Sequence, residues 1–510
     1  MQQSRLIVSL LAVAALAGCG GGGSSGPDIS SDTQTRGTLV ASPPNRVPIP
    51  QADGSYGTSL PAPQFAQMLE AAQPGVTQIT GTPKCAISLY HMKYITVGGA
   101  GESTDATGAI MVPSGSDPAC SGPRPVLLYA HGTETDKAFN MANISAYSEA
   151  SLIAATFAAQ GFIVVAPNYA GYDVSSLSYH PYLNAEQQSN DMIDALRAAR
   201  KAFSSIGATA SSKLLVSGYS QGGHVSMATQ RAMQTTYASE FQLTAAANMS
   251  GPYAMTLFGD AIMAGSPPLG GTVFLPMITT SWQKSYGGLY SSPSDVYEAQ
   301  YATGIESLLP STMSTTQLFT SGKLPQAALF AADSLPGPSS PAFSAFFGAG
   351  NLIKTSFRNA YLADAQVNPC NTSAGAPVEC SPANAFRKAA LKNDLRTFVP
   401  NVPTMLCGGN ADPTVFFVNT QATQAYFLGK GMPPAALTVL DVDSAPSGAA
   451  DPFAAVKVGF SQAKASTASA AVAAKTDPTQ AVAVAYHPNL VYPFCAAAAR
   501  GYFQSVLAAQ

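Results

Sequence analysis

Apolar and polar residues recur with two different periods along the chain, and these periods predict its strands and helices. Residues 87–97 and 107–113 alternate between apolar and polar positions across a glycine-rich turn, which predicts an antiparallel strand pair. Residues 125–130 are continuously apolar, as expected of a strand that is buried on both faces. The folded part of the chain, from about residue 61, is therefore expected to begin with a β-sheet.

Helical and β-type patterns alternate after this third strand. The helical segments are residues 148–160 and 184–203, and the β-type segments are residues 162–167, 213–216 and 243–249. Alternating strands and helices need crossover connections, which set the strands parallel and place helices on both faces of the sheet. The pattern predicts an α/β fold built on a mostly parallel sheet.

The alternation stops between residues 253 and 395. That segment has helical patterns and apolar clusters but no strongly β-rich run. The sheet pattern then resumes, with a strand at 402–409, a helix at 419–428, a strand at 436–442, an alanine-rich helical segment at 444–485 and a closing helix at 494–508. We expect one domain over residues 61–510, with a large and mostly helical cap inserted at about 253–395. The alternative is an independent second domain.

Residues 1–18 have the pattern of an export signal. Arg5 precedes the apolar residues 6–17, a run that is too short for a membrane-spanning helix. The segment Leu16-Ala17-Gly18-Cys19 resembles the lipobox of bacterial lipoproteins, which is cut before its cysteine. We therefore expect Cys19 to carry a lipid that holds the exported protein on a membrane.

Residues 19–60 are rich in Gly, Ser, Pro and Thr, a composition typical of a flexible tether. Gly20, rather than Asp, follows the cysteine and resembles the outer-membrane sorting signal of lipoproteins. The alternative is an ordinary secreted protein that is cleaved at a small residue.

The charge balance argues against a nucleic-acid partner. Charged residues make up 10% of the chain, hydrophobic residues make up 46%, and the net charge is −3. A chain of this composition can build a large core, but it has no basic stripe that would bind a phosphate backbone.

Apart from Cys19, the cysteines are even in number, and an oxidising export compartment favours their pairing into disulfides. They are Cys85, Cys120, Cys370, Cys380, Cys407 and Cys495. No Cys-x-x-Cys spacing is present and the histidines are scattered, so no metal site is expected.

The segment Gly218-Tyr219-Ser220-Gln221-Gly222 lies between a predicted strand and a predicted helix. A Gly-x-Ser-x-Gly sequence in that setting is typical of a nucleophile elbow, in which a sharp turn exposes the serine hydroxyl. The same pattern at residues 22–26 lies in a Gly/Ser run without a strand or a helix, so its position and not its letters carries the signal.

Several motifs together resemble the α/β-hydrolases of the secretory lipase and esterase group. They are His131-Gly132-Thr133, Asn168-Tyr169-Ala170-Gly171-Tyr172, His180-Pro181-Tyr182, the elbow, Gly408-Gly409-Asn410-Ala411-Asp412 and the late His487. The resemblance covers about residues 83–508, and the elbow is also similar to that of cutinases, which lack a cap of this size. The resemblance to secretory lipases and esterases implies an α/β-hydrolase fold and hydrolysis of carboxylic esters through an acyl-enzyme, without a cofactor.

A serine nucleophile needs an imidazole base and a carboxylate that orients it, and in this fold they follow the serine in the order acid, then histidine. His487 is the only histidine beyond the candidate acids, so we expect it to be the base for Ser220. Asp412 follows a predicted strand and is the expected acid, with Asp441 and Asp443 as alternatives.

Two backbone N–H groups are expected to form the oxyanion hole. One belongs to Gln221, directly after the nucleophile, and the other to Thr133 in the loop after the third strand. His131 and His224 are expected to support the structure and not to take part in the reaction.

The order of these segments suggests how the cysteines pair. Cys407 ends the strand before the acid and Cys495 begins the helix after the histidine, so a Cys407–Cys495 disulfide would hold the two loops together. Cys85–Cys120 and Cys370–Cys380 then follow as local links.

Aromatic residues of the cap are expected to form an apolar roof over the site and to favour apolar esters, with either a small-molecule or a polymeric ester as the substrate. They are Phe274, Trp282, Phe343, Phe346 and Phe347. Two other functions stay open: a serine peptidase or amidase with the same fold, and a non-catalytic binding lipoprotein.

Overall fold

A mostly parallel β-sheet forms the centre of the computed structural model, which describes residues 36–50, 54–370 and 378–509. The predicted signal peptide, Cys19 and the first part of the predicted tether lie outside the described residues. In chain order the strands are β1 (Asn45–Arg46), β2 (Ile49–Pro50), β3 (Tyr56–Gly57), β4 (Ala86–Val97), β5 (Ser103–Ser114), β6 (Arg124–Ala130), β7 (Ile163–Pro167), β8 (Ala210–Tyr219), β9 (Leu243–Met249), β10 (Thr404–Gly408) and β11 (Leu437–Asp441).

The main sheet has nine strands within the described residues, in the order β1-β4-β5-β7-β6-β8-β9-β10-β11, and β2 pairs with β3 separately. Strands β6 to β11 run parallel to one another, whereas β5 is antiparallel to both β4 and β7. This confirms the predicted fold class and the antiparallel strand pair at the start of the sheet. Strand β6 lies between β7 and β8, so the strand order reverses there and a crevice opens at the carboxyl ends of β6 and β8.

Helices cover both faces of the sheet and fill the connections between its strands. They are α1 (Ala62–Ala72), α2 (Val76–Thr80), α3 (Ser148–Thr156), α4 (Ala185–Ala202), α5 (Gln221–Thr235), α6 (Met255–Met263), α7 (Gly271–Tyr286), α8 (Ala299–Ala302), α9 (Thr315–Thr320), α10 (Thr355–Val367), α11 (Ala385–Lys392), α12 (Val418–Gly429), α13 (Ala454–Ala473), α14 (Pro478–Ala485) and α15 (Tyr492–Ala508). None of those in the described ranges has both the length and the apolar character needed to span a bilayer.

Local sequence explains where several of these elements begin and end. The side chain of Asn184 accepts a hydrogen bond from the N–H of Gln187 and so caps the start of α4. The segment after α3 ends at Gly161, whose φ of 99° lies in the left-handed region that favours glycine. Strands β6 and β7 are almost wholly buried, which agrees with their continuous apolar sequences.

Helices α6 to α11 lie between β9 and β10 in sequence, although these two strands are neighbours in the sheet. The inserted residues have a hydrophobic core of their own, which includes Trp282 and Tyr297 and which Tyr182 and Leu183 join from outside the insertion. The N–H of Leu395 donates to the carbonyl of Tyr253, so the chain enters and leaves the insertion at adjacent points.

Part of the predicted tether, between Arg36 and Leu60, is packed against the sheet. Arg36 is buried and pairs with Asp194 of α4, with 2.9 Å between Nε and Oδ2. Strand β1 pairs with β4, and the N–H of Leu60 donates to the carbonyl of Ile87. Composition did not reveal these contacts because each depends on a partner far away in sequence.

The segment that carries His487 is helical, and not a loop between the alanine-rich segment and the closing helix. Helix α14 continues through a π-helical turn, Tyr486–Val491, into α15. Such a widened turn often occurs at functional sites, and here it contains Pro488, which lacks the N–H of a regular helical residue.

The alanine-rich segment 444–485 contains α13 and α14, and both lie next to the π-helical turn that carries His487. Phe460 of α13 is buried, and its ring centroid lies 5.6 Å from that of Tyr486 and 5.9 Å from that of Phe494. The segment is therefore an outer support for the helix that carries His487.

The six cysteines of the described residues form three disulfides in the pairs expected from the sequence. These are Cys85–Cys120, Cys370–Cys380 and Cys407–Cys495. The third joins β10 to α15.

Candidate active site

Ser220 occupies a sharp turn between β8 and α5. Its φ of 60° and ψ of −121° are unusual for a residue with a side chain, and they direct the hydroxyl away from the sheet. The adjacent backbone is crowded: a Cβ on Gly218 would lie 2.2 Å from the carbonyl oxygen of Gly222, and one on Gly222 would lie 2.0 Å from that of Ala130. The two glycines are therefore required by the turn itself.

Ser220, His487 and Asp412 form a continuous chain of hydrogen bonds. The distance from Ser220 Oγ to His487 Nε2 is 2.8 Å, and that from His487 Nδ1 to Asp412 Oδ2 is 2.6 Å. All three residues are buried. A tautomer with the proton on Nδ1 donates to the carboxylate and leaves Nε2 free to accept from the serine hydroxyl.

Backbone groups hold the carboxylate of Asp412 in place. Its Oδ1 accepts from the N–H groups of Thr414 and Val415, at 2.9 and 3.0 Å. Its Oδ2, which faces the imidazole, also accepts from the hydroxyl of Ser250 at 3.3 Å.

The two alternative acids lie elsewhere and have other partners. Asp443 pairs with Lys464 and accepts from the hydroxyl of Tyr486, and Asp441 accepts from the side chain of Asn410.

Tyr219, the residue before Ser220, contacts His487 from the side of the sheet. Its hydroxyl donates to the carbonyl oxygen of His487 at 2.5 Å and lies 3.2 Å from Nδ1. Its ring stacks on Tyr492, the first residue of α15, with 4.4 Å between centroids. The elbow and the histidine helix are thereby packed together.

The two residues expected to form the oxyanion hole line one cavity together with Ser220. Gln221 is the first residue of α5, so its N–H has no partner within the helix. Thr133 follows β6, and its hydroxyl is hydrogen-bonded to that of Tyr182 at 2.8 Å.

The cavity next to Ser220 is narrow and apolar, and we call it the inner pocket. Its cavity volume is about 80 Å³. Side chains of the insertion form most of its wall, including Met255, Phe258, Ile262, Phe274, Trp282 and Phe386.

The expected aromatic roof is divided among three places. Phe274 and Trp282 line the inner pocket. Phe343 and Phe346 line a wider neighbouring cleft. Phe347 does neither: its ring packs on Phe330, with 5.4 Å between centroids.

Three other histidines are buried as structural groups. Burial lowers the pKa of His131 to about 4, that of His180 to about 3 and that of His224 to about 4, so each is neutral near pH 7. His131 contacts the carbonyls of Gly132 and Asn168 and stacks on Tyr169, which fixes the loop that leads to Thr133.

Comparisons with known proteins agree with this geometry. Residues 137–270, which include the elbow, match the family model of secretory lipases. A rice cell wall degrading esterase, LipA from Xanthomonas oryzae, is 28% identical over 83% of this chain and 95% of that chain, with a TM-score of 0.63. The chain is a secretory lipase- and esterase-like α/β-hydrolase.

Other comparisons extend this finding. A ligand-bound form of the same esterase matches this α/β-hydrolase with 27% identity, covering 88% of this chain and 97% of that chain, at a TM-score of 0.63. A Legionella pneumophila protein with 17% identity covers 92% of this chain and 98% of that chain, and its TM-score of 0.64 shows a shared fold. No curated protein matches the sequence. Similarity to lipases and esterases supports ester hydrolysis as the activity of this α/β-hydrolase.

The hydrolase has a half-buried carboxylate close to the site that no sequence motif indicated. Glu149 of α3 accepts from the N–H of Gly132 at 3.0 Å and from the hydroxyl of Tyr129 at 2.8 Å. The Tyr129 hydroxyl is in turn 2.9 Å from that of Tyr492. Burial raises the pKa of Glu149 to about 7, although these hydrogen bonds act in the opposite direction. In sequence Glu149 is an ordinary acidic residue in a first helical turn, so no local pattern distinguishes it.

Within the described residues, no group of three or more His, Cys, Asp or Glu side chains is placed to hold a metal ion.

Proposed function

We propose that the protein is a serine carboxylic-ester hydrolase that acts on apolar esters through an acyl-enzyme. The observation that carries this proposal is the hydrogen-bonded chain from Ser220 through His487 to Asp412, which ends beside the inner pocket. The similarity to secretory lipases and to an esterase supports the same reaction.

In the acylation step Ser220 Oγ attacks the ester carbonyl carbon while its proton passes to Nε2 of His487. Asp412 stabilises the imidazolium and holds it in the required orientation. The carbonyl oxygen becomes an oxyanion that the N–H groups of Gln221 and Thr133 stabilise. The bond to the alcohol oxygen then breaks, and that oxygen takes the proton from Nε2.

In the second step a water molecule repeats the sequence on the acyl-enzyme. His487 removes a proton from the water, the resulting hydroxide attacks the acyl carbon, and the proton returns to Ser220 Oγ as the carboxylic acid leaves. The products are one acid and one alcohol, and the enzyme is restored.

The inner pocket supports a preference for an apolar acyl group. Burying each methylene contributes roughly 0.8 kcal/mol, so activity should rise from acetate toward butyrate or longer acyl chains until the pocket is full. Because a neighbour of 28% identity is described as degrading rice cell wall, we include polymeric esters among the substrates to be tested.

The match to secretory lipases supports export of the protein. We further propose that Cys19 carries a lipid that holds the enzyme on the outer membrane of the bacterium that exports it, as the lipobox-like sequence suggests.

Activity-based labelling tests the reaction class directly. A fluorophosphonate should label the wild type but not Ser220→Ala. Ester turnover should fall roughly 10⁵-fold in Ser220→Ala and His487→Ala, and roughly 10³-fold in Asp412→Asn, because triad members act as one unit. Asp443→Asn is the matched control for the acid and should keep its turnover.

The remaining functions make different predictions for the same samples. Faster turnover of an anilide than of its matched ester would identify a peptidase or amidase. An unlabelled wild type that still binds esters would identify a non-catalytic binding protein.

A further inference from the structure

A wide cleft lies beside the inner pocket, and we call it the outer cleft. Its cavity volume is about 1110 Å³. Half-buried aromatic rings line it, together with the exposed amide side chains of two glutamines; they are Phe343, Phe346, Phe416, Phe417, Gln421 and Gln480.

The outer cleft and the inner pocket are neighbours with a shared wall. Thr133 and Phe274 line both cavities. Phe258 of the inner pocket packs edge-to-face against Phe416 of the outer cleft, with 5.3 Å between ring centroids. An ester held at Ser220 can therefore extend one substituent into each cavity.

The position of His487 decides which substituent enters which cavity. The outer cleft borders the acid loop, residues 410–413, and also Gln480, Ala483 and Val484 of α14, the helix that continues into His487. The inner pocket borders α6 and α7, and none of its described lining residues belongs to α14. His487 Nε2 must give its proton to the leaving alcohol oxygen, so the alcohol has to lie on the histidine side.

Building on the proposed function, we propose that the outer cleft binds the alcohol portion of the substrate and accepts a bulky, uncharged alcohol that carries an aromatic ring. The partly exposed rings of Phe343, Phe346 and Phe416 provide apolar faces. The ring centroid of Phe343 lies 6.5 Å from that of Phe346 and 5.9 Å from that of Phe416. Aromatic pairs favour offset or edge-to-face contacts at such separations. The amides of Gln421 and Gln480 can bind hydroxyl groups on the same alcohol.

This assignment is compatible with the bond changes of the first step. The new bond joins Ser220 Oγ to the acyl carbon, and the bond that breaks joins this carbon to the alcohol oxygen. The alcohol leaves through the outer cleft with the proton from Nε2, while the acyl group stays in the inner pocket.

Two crossed ester series test the proposal. One holds the acyl group as butyrate and varies the alcohol through ethyl, 2-phenylethyl and 2-(2-naphthyl)ethyl. The aromatic ring is kept two carbons from the ester oxygen so that the acidity of the leaving alcohol changes little across the series. The other holds the alcohol as ethyl and varies the acyl chain. For the wild type we expect kcat/KM to rise about tenfold from ethyl to the naphthylethyl ester, because more apolar surface is buried.

Two variants should separate the cavities. Ala345→Trp fills the outer cleft from an exposed position and should bring the ratio of naphthylethyl to ethyl turnover close to one, with the acyl-length profile retained. Ile262→Phe narrows the inner pocket and should shorten the preferred acyl chain with the alcohol ratio retained. Ser344→Trp, an exposed neighbour that does not line the cleft, is the matched control for Ala345→Trp.

A flat alcohol profile in the wild type would overturn the proposal, as would a cleft variant that changed only the acyl profile. Should Ala345→Trp not fold, Phe346→Ala tests the same ratio by removing an aromatic face. Failure of the proposed function is a separate result, because then no ester would be hydrolysed, or Ser220→Ala would hydrolyse them equally well.

Discussion

At the scale of single residues, two carboxylates near Ser220 have different surroundings. Asp412 accepts from two backbone N–H groups and faces the imidazole of His487. Glu149 lies under the loop that leads to Thr133, and burial raises its pKa to about 7. Its hydrogen bond with the N–H of Gly132 fixes this residue and hence the direction of the N–H of Thr133. In the proposed mechanism one carboxylate thus orients the base, while the second holds the loop.

The raised pKa of Glu149 predicts a pH-dependent cost. Where the pKa of an acid is higher in the folded than in the unfolded state, the protein loses stability as the pH rises from the unfolded-state pKa to the folded-state pKa. For Glu149 this interval runs from 4.5 to about 7. Glu149→Gln removes this titration, so its free energy of unfolding relative to wild type should increase over that window by up to about 3 kcal/mol. Urea unfolding at several pH values measures the difference.

The exposed Glu186 provides the control for this measurement. Glu186→Gln should follow the wild-type pH profile, and parallel profiles for Glu149→Gln and wild type would contradict the expectation.

At the scale of elements, the proposed triad depends on how the helix that carries His487 is positioned. His487 lies in a π-helical turn between α14 and α15, and Tyr219 contacts it from the elbow. Cys495 of α15 is bonded to Cys407 of β10, the strand that leads to the acid loop. A covalent link therefore joins the two elements that deliver Asp412 and His487.

Removing this link should affect catalysis more than removing another disulfide. Cys407→Ala/Cys495→Ala is expected to lower kcat/KM about tenfold or more, because small displacements of catalytic groups are costly. Cys85→Ala/Cys120→Ala is the matched control, since its bond lies at the other end of the sheet and should affect mainly stability, by roughly 2–5 kcal/mol. Steady-state kinetics and urea unfolding measure the two effects. Equal kinetic losses in both double variants would show that the link has no special role in positioning.

The sequence predicts the strands well because their continuous or alternating apolar patterns arise from burial in the sheet. Ser220 was also predictable, since glycines at fixed spacing and a strand–helix setting are required by its backbone. The π turn was not, because Pro488 indicates a break in a regular helix and no sequence period indicates a widened turn. The buried pair of Arg36 and Asp194 was equally hidden, since its members are distant in sequence.

At the scale of the whole molecule, the proposed lipid anchor determines where the enzyme works. Arg36 is buried against Asp194, so the packed chain includes part of the predicted tether of residues 19–60, and the stretch between Cys19 and Arg36 is shorter than that tether. The active site would then be held closer to a membrane surface than composition alone implies.

Replacing Cys19 tests this anchoring. Cys19→Ala should move the enzyme from the membrane fraction to the soluble fraction, while kcat/KM on a soluble ester stays unchanged. Ser25→Ala in the same segment is the control and should remain with the membrane. A Cys19→Ala protein that still sediments with membranes would exclude the lipid as the anchor.

The adjacent ends of the insertion have a consequence for how such enzymes diversify. Strands β9 and β10 pair directly, and Tyr253 and Leu395 meet where the inserted chain leaves and rejoins the sheet. Lengthening or rebuilding the insertion costs the sheet little, because loop-closure entropy grows slowly with length. Descendants of one ancestral enzyme can therefore keep the residues around Ser220 unchanged while the insertion, and with it the range of substrates, diverges between lineages.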